Sequence, residues 1–297
     1  TLSFSDLSAR AGSSRVDEVE LHFHDITGKK DPEVSVRAAV DMELDDFVTA
    51  WRASMTLRSV YDLLSPVSEV RGGRIGGSVH TWSDPERSGS VRMRGHVTVE
   101  DGTFRWDNHS IESLRGRAIK ETFEDSLSVI AEGATLGFAV DDLNLSMPDP
   151  FEDDAYELSF VLTRPPGPDL EEVIGFGEGL RIVFAGTGAG NRVDGTLNIA
   201  LPEIIRADGE YGPADVRVDG SVTIGSDSIT SEGLSILYGD VTGLVSGRLA
   251  PGDVKQFEGA IAVDNLVLNE PVPGGMSLLG SYAGSARVHL RNTLFRG

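Results

Sequence analysis

VRMRGHVTVEDGTFRWDNHSIESLRGRA, residues 91–118, is the stretch whose reading decides the fold class. Val91, Met93, Gly95, Val97 and Val99 fall on one side of an extended chain, and Arg92, Arg94, His96, Thr98 and Glu100 on the other. This period-two alternation predicts a strand with one dry face and one wet face. Asp101-Gly102 predicts a tight turn, since Gly accepts positive φ and Asp tolerates it. Residues 103–106 are then read as a second strand, Asn108-His109 as another turn, and residues 111–119 as a third strand: a hairpin meander. Residues 216–249, VRVDGSVTIGSDSITSEGLSILYGDVTGLVSGRL, repeat that order, and residues 257–269 do so more loosely. Repetition of one supersecondary unit predicts an elongated, stacked β architecture.

Working outward, residues 16–26 and 34–40 read as strands, the first with Val19, Leu21 and Phe23 opposite Glu20, His22 and His24. The period then changes. Residues 45–64 lack Gly and Pro and space Phe47, Val48, Trp51, Met55, Val60, Leu63 and Leu64 by three to four, which predicts an amphipathic helix. Asp45 or Asp46 suits its N-cap, and Pro66 follows its end. Strands resume near Val79 and continue through residues 134–147, 156–163, 181–184, 193–201, 260–268 and 286–290. Pro165-Pro-Gly-Pro168 is the strongest break and the one candidate internal boundary, with a short helix expected at 170–174. The chain is otherwise read as one elongated β segment, residues 1–297, with the character of a piece cut from a longer protein.

The net charge of −21 argues against nucleic acid as a partner, because a phosphate-binding surface needs a basic stripe, and acidity of this degree predicts none. The lysines are Lys29, Lys30, Lys120 and Lys255 alone, so Arg carries most of the positive charge. The absence of cysteine removes thiol catalysis, disulfides and thiolate-bound zinc. No apolar run approaches the roughly 18 residues that cross a bilayer as a helix.

Gly186-Thr-Gly-Ala-Gly190 follows an apolar strand, as a phosphate-cradling loop would. Such a loop must open a helix, whereas residues 192–199 alternate like a strand, so a wide hairpin turn is favoured. His22 and His24 share a strand face but bring no third ligand, and they lie on the polar side. The acid pairs Asp141/Asp142 and Asp153/Asp154 sit in turn contexts, and neither a complete calcium loop nor a G-x-S-x-G elbow is present. The expectation is therefore a protein that is not an enzyme and carries no metal or cofactor.

RGHVTVEDGTFRWDNHSIESLRGRA, a strand with Gly, an Asp-Gly pair, an aromatic, a polar turn and a Gly-punctuated return, resembles the repeating unit of the AsmA-like and TamB-like proteins of the bacterial envelope. GSVTIGSDSITSEGLSILYGDVTGLVSGRL and FEGAIAVDNLVLNE are similar in kind, as is the helix leading into VRGGRIGGSV. The resemblance covers most of the chain and is carried by pattern. It implies a long antiparallel, highly curved sheet forming an open groove, in a periplasmic protein anchored to the inner membrane by a segment missing from this chain. It implies that the groove holds phospholipid acyl chains and supports lipid transport between inner and outer membranes, with envelope proteins as partners. The groove-lining candidates are Val91, Met93, Val97, Val99, Phe104, Val216, Val218, Val222, Ile224, Ile261 and Val263. Alternation alone leaves a second possibility open: the same faces can pack together as a closed β core, in a structural scaffold or interaction subunit of a membrane-associated complex without lipid.

Overall fold

A computed structural model describes residues 1–24, 33–53, 67–83, 91–106, 109–135, 138–148, 154–164, 179–205, 211–238, 241–250, 255–268 and 282–295. The chain is mainly β and divides into two units, Thr1–Glu157 and Leu158–Gly297. The break expected at 165–168 and the short helix at 170–174 lie outside the described residues.

The first unit contains β1 (Leu2–Ala11), β2 (Ser14–His24), β3 (Glu33–Glu43), α1 (Leu44–Ala53), β4 (Val67–Arg71), β5 (Arg74–Ser83), β6 (Val91–Trp106), β7 (His109–Lys120), β8 (Leu127–Thr135) and β9 (Phe138–Met147). Its strands pair antiparallel as β1-β2-β3-β5-β6-β7-β8-β9, with β4 added beside the far end of β6. β10 (Ala155–Thr163) spans the boundary between the units. In the second unit β11 (Arg181–Ala189), β12 (Arg192–Ile205), β13 (Tyr211–Ile224), β14 (Ile229–Tyr238), β15 (Val241–Ala250), β16 (Lys255–Leu268) and β17 (Tyr282–Phe295) pair antiparallel in chain order.

Two expected turns are not where the residue chemistry suggested. β6 runs unbroken from Val91 to Trp106, so Asp101-Gly102 is not a turn and residues 103–106 are not a second strand. Asp101 takes φ 52° at a register shift between Val99 and Gly102, which makes it the extra residue of a β-bulge. A bulge and a turn demand the same left-handed conformation, so Asp-Gly serves either. In residues 216–249 the corresponding Gly225–Ser228 is a real turn, closed by a Gly225 N–H to Ser228 carbonyl bond of 2.8 Å. The two stretches therefore differ in construction. Likewise Gly186 and Gly188 lie within β11, and the reversal is a two-residue turn at Gly190-Asn191, tighter than the wide turn expected.

Asp101 is one of a set. Asp6, Glu18, Glu69, Asp101, Ser113 and Asp142 are the non-glycine residues with positive φ among the described residues, and each falls at a register shift of β1, β2, β4, β6, β7 or β9. The local sequences share one form: FSDL, VDEV, VSEV, VEDG, IESL and VDDL, in which the third residue is the bulged one. Each bulge inserts one residue and so reverses the in-out parity of its strand. Apolar residues three apart, such as Phe4 and Leu7 or Val16 and Val19, consequently share a face.

α1 follows β3 directly, with Asp45 and Asp46 in its first turn, where carboxylates suit the positive helix end. Residues 54–64 of the expected helix lie outside the described residues. The Leu44 N–H donates to the Gly73 carbonyl at 3.1 Å, and Asp46 accepts a hydrogen bond from the Ser14 hydroxyl at the β1–β2 turn. Leu44 and Val48 of the helix and Ile75 of β5 are each buried. Among the described residues of the second unit the buried apolar ones are Leu180, Phe184, Val193 and Val222, with Phe160 stacked on Phe184 at 5.3 Å between ring centroids.

Candidate functional site

Residues directly opposite one another in an antiparallel pair point to the same face, so the ladders show which side chains share a surface. In the first unit one row crosses eight strands: Ala9, Val16, Val40, Gly77, Val97, Ala118, Val129 and Leu145. The row beside it reads Met42, Ile75, Val99, Gly116, Ala131 and Leu143. A third reads Phe4, Leu21, Val36, Thr81 and Met93. Every member is aliphatic, aromatic, methionine, glycine or threonine. The opposite face carries rows such as Arg10, Arg15, Asp41, Gly76, Thr98 and Arg117.

The first-unit candidates fall on the apolar face. Met93, Val97 and Val99 occupy the rows just given. Phe104 stands opposite Ile111, and simple alternation would have put it on the polar face with Glu100. The paired bulges at Asp101 and Ser113 restore it to the side of Val97 and Val99. Val91 is placed in β6 opposite Ser83, and its side chain lies outside the described residues.

In the second unit Ile182, Ile199, Val218, Ile236, Gly243, Val263 and Ala286 form one row, and Phe184, Leu197, Gly220, Leu234, Val245, Ile261 and Val288 the next. Val216 lies beside Leu201 and Tyr238, Val222 beside Gly195, and Ile224 beside Val193 and Ile229. The register therefore puts all six second-unit candidates on one face of that unit's sheet. The side chains of Ile261 and Val263 lie outside the described residues.

Both faces are only partly covered. In the first unit Ile75 is 4% exposed and Met147 is 9% exposed, while Val16, Val40, Met93, Val97, Val99, Phe104 and Leu145 remain only half-buried. An aliphatic face in that state keeps substantial apolar area in water, at roughly 25 cal/mol per Å². In the second unit Val222 is 4% exposed and Phe184 1%, whereas Val216, Val218 and Ile224 are half-buried. The Phe184 ring lies over the glycine pair Gly186–Gly195, which stand opposite each other and leave it room.

Sequence reasoning missed the contribution of β1–β3, β5, β8 and β9 to the first face. The φ-x-acid-φ spacing repeated in FSDL, VDEV and VDDL was the signal that could have found part of it.

Among the described residues, the polar side chains are engaged mostly with their neighbours along the strands. His22 lies 3.0 Å from the Ser3 hydroxyl and His24 lies 3.1 Å from that of Thr1. Among the described residues no three potential ligands converge on a metal position. The exposed Asp41 carboxyl is held below its ordinary range chiefly by its hydrogen bond from Arg74, at 2.6 Å. Asp194 is lowered in the same way by Arg192 and by Thr223. Burial raises the Tyr156 hydroxyl, with Asp154 adding to the effect.

No helix of the described residues is long and apolar enough to cross a membrane. No protein-family model, curated protein or solved structure matches the chain.

Proposed function

We propose that the apolar face of the first unit binds hydrocarbon, and that the protein is an AsmA-like carrier of phospholipid acyl chains in the bacterial envelope. The observation that carries this reading is the row from Ala9 to Leu145, aliphatic or glycine across eight strands yet largely half-buried. A soluble domain normally covers such a face with a second layer, and large contiguous apolar surfaces mark sites of interaction. Branched aliphatic side chains spaced along a sheet, without a convergent polar set, suit flexible chains of methylene groups. They do not suit a small molecule that must be oriented.

In this reading the sheet curls around its apolar face as an open groove, and the bulges supply the bending, because each increases local twist. α1 closes one end, where Leu44 and Val48 are buried and the Leu44 N–H donates to the Gly73 carbonyl. The protein works in the periplasm, joined to the inner membrane by sequence outside this chain and assisted by envelope proteins. It holds acyl chains and catalyses no reaction.

One observation favours the scaffold reading for the second unit. Phe184, Val193 and Val222 are buried there as in a packed core, which leaves less room for cargo. Native mass spectrometry of the purified chain, before and after organic extraction, separates the two readings. A carrier shows mass increments matching phospholipids that vanish on extraction, whereas a scaffold shows the bare chain both times.

A further inference from the structure

The net charge of −21 gives no hint that positive charge collects anywhere, yet the polar face of the first unit gathers it. Arg37, His80 and Arg94 stand in one row across β3, β5 and β6. His96 lies two residues beyond Arg94 on β6, roughly 7 Å along the strand. Arg117 lies diagonal to His96 on β7, since Ile119 is its direct partner. These residues line a depression of about 540 Å³, and Glu121 is the only carboxylate among the residues lining it.

Among the described residues, ion pairing compensates Arg37 alone of this cluster. Arg94 Nε donates to His80 Nδ1 at 3.1 Å, so that imidazole carries its proton on Nε2, which lies 2.9 Å from the Ser35 hydroxyl. The Arg94 guanidinium is seated 5.1 Å from the centre of the Phe123 ring, which holds it in place without neutralising it. The ion pairs at this end of the face, Arg37–Glu20 at 3.6 Å and Arg92–Glu124 at 3.4 Å, do not reach the centre. Neither Arg94 nor Arg117 has an ion-pair partner among the described residues. Lys120, 3% exposed, stands opposite Gly95 and so belongs to the other face, where the Asp125 carbonyl accepts from its ammonium.

We infer that the depression between Arg94, His96 and Arg117 is a binding site for a phosphate group. Two guanidinium forks from neighbouring strands, with the His96 imidazole between them in sequence register, suit a tetrahedral oxyanion, which presents oxygens in several directions. A carboxylate would satisfy one fork and leave the other unpaired. The phosphate can belong to a free phosphorylated small molecule or to a phospholipid headgroup. The site lies on the face opposite the apolar rows, so it does not depend on acyl-chain binding.

The test is a titration of the intact chain, with histidines isotopically labelled, by inorganic phosphate at low ionic strength. The ring signals of His80 and His96 are expected to move saturably with phosphate and not with equivalent chloride. Arg94→Gln and Arg117→Gln should each weaken that binding at least tenfold, while Arg181→Gln in the second unit leaves it unchanged. Cosedimentation with phosphatidylcholine vesicles containing phosphatidic acid, lost in the same two variants, assigns the headgroup. Saturable phosphate binding without cosedimentation assigns a free phosphorylated molecule. Shifts that follow ionic strength alone, or that survive both substitutions, overturn the site.

Discussion

Gly77 on β5 faces Val97 on β6 so closely that a Cβ on Gly77 would lie 2.1 Å from the His96 carbonyl oxygen and 2.9 Å from the Val97 Cα. Its φ of 146° already lies where other residues are strained. Gly95 returns the relationship, its Cβ position falling 2.2 Å from the Ser78 carbonyl. The two glycines thus let β5 and β6 approach at the middle of the apolar face.

Gly77→Ala should therefore destabilise the first unit by about 1–3 kcal/mol, the usual range for a residue forced into a disfavoured backbone region. Gly76 is the internal control, because a Cβ there meets nothing nearer than 3.7 Å. Gly76→Ala should be close to neutral. Urea denaturation of both variants checks this, and equal midpoints would refute the close approach.

The bulges make a prediction of sign. Glu18 takes φ 50° in β2, a conformation that costs an L-residue roughly 1–2 kcal/mol and glycine nothing. Glu18→Gly should stabilise by up to about 1 kcal/mol, even though glycine ordinarily weakens a strand. Glu18→Val, which ordinarily favours a strand, should destabilise by a similar amount because β-branching resists positive φ. The order Gly above Glu above Val in denaturation midpoint is the expected result, and the reverse order would mean that β2 is regular at this point.

Residues 91–99 show how far the alternation was legible. Val91 to Val99 are in one strand, on the expected parity, because period two follows from the pleat alone. Past Asp101 the same reasoning breaks down. Asp-Gly fits a hairpin turn and a bulge equally well, and only pairing with β7 decides between them. The placement of Phe104 with Val97 depends on that decision, so its grouping with them could not be derived from alternation. The basic depression was invisible for a different reason. Arg37, His80, Arg94, His96 and Arg117 come from four strands, and composition averages them into a strongly acidic total.

His80 provides a pH-dependent test of the polar face. Its imidazole is pushed below the ordinary histidine range, first by burial and then by Arg94 and Arg37, against weaker attraction from Glu20 and with further opposition from His22. A depressed base binds fewer protons folded than unfolded. Its contribution to stability is therefore complete above the unfolded value, near pH 6.5, and is lost as pH falls through the folded value. Arg94→Gln removes an opposing charge, so the His80 titration should move upward while staying below the ordinary value, because burial persists. Proton NMR of the ring signals follows this directly. An unmoved titration would place Arg94 away from the imidazole.

Three consecutive residues of β6 serve as their own control. Val97 and Val99 lie on the apolar face and are half-buried, while Thr98 between them is exposed on the polar face and donates to the Gly76 carbonyl at 3.2 Å. In an open trough an Asp at Val97 or Val99 enters a space filled by mobile acyl chains, so the strand pairing survives. The carboxylate then stands against hydrocarbon and must neutralise or reach water, so cargo is what yields. Bound lipid should fall several-fold in Val97→Asp and Val99→Asp with little change in melting temperature, and Thr98→Asp should change neither. In a closed core the same two substitutions bury an unpaired carboxylate in packed protein, a class of change that costs upwards of about 3 kcal/mol and collapses the thermal transition. Extracted lipid per mole of protein and melting temperature, measured for all three variants, therefore separate the readings. If the two Val variants melt early and the parent chain carries no lipid, the face is a core and the protein a scaffold.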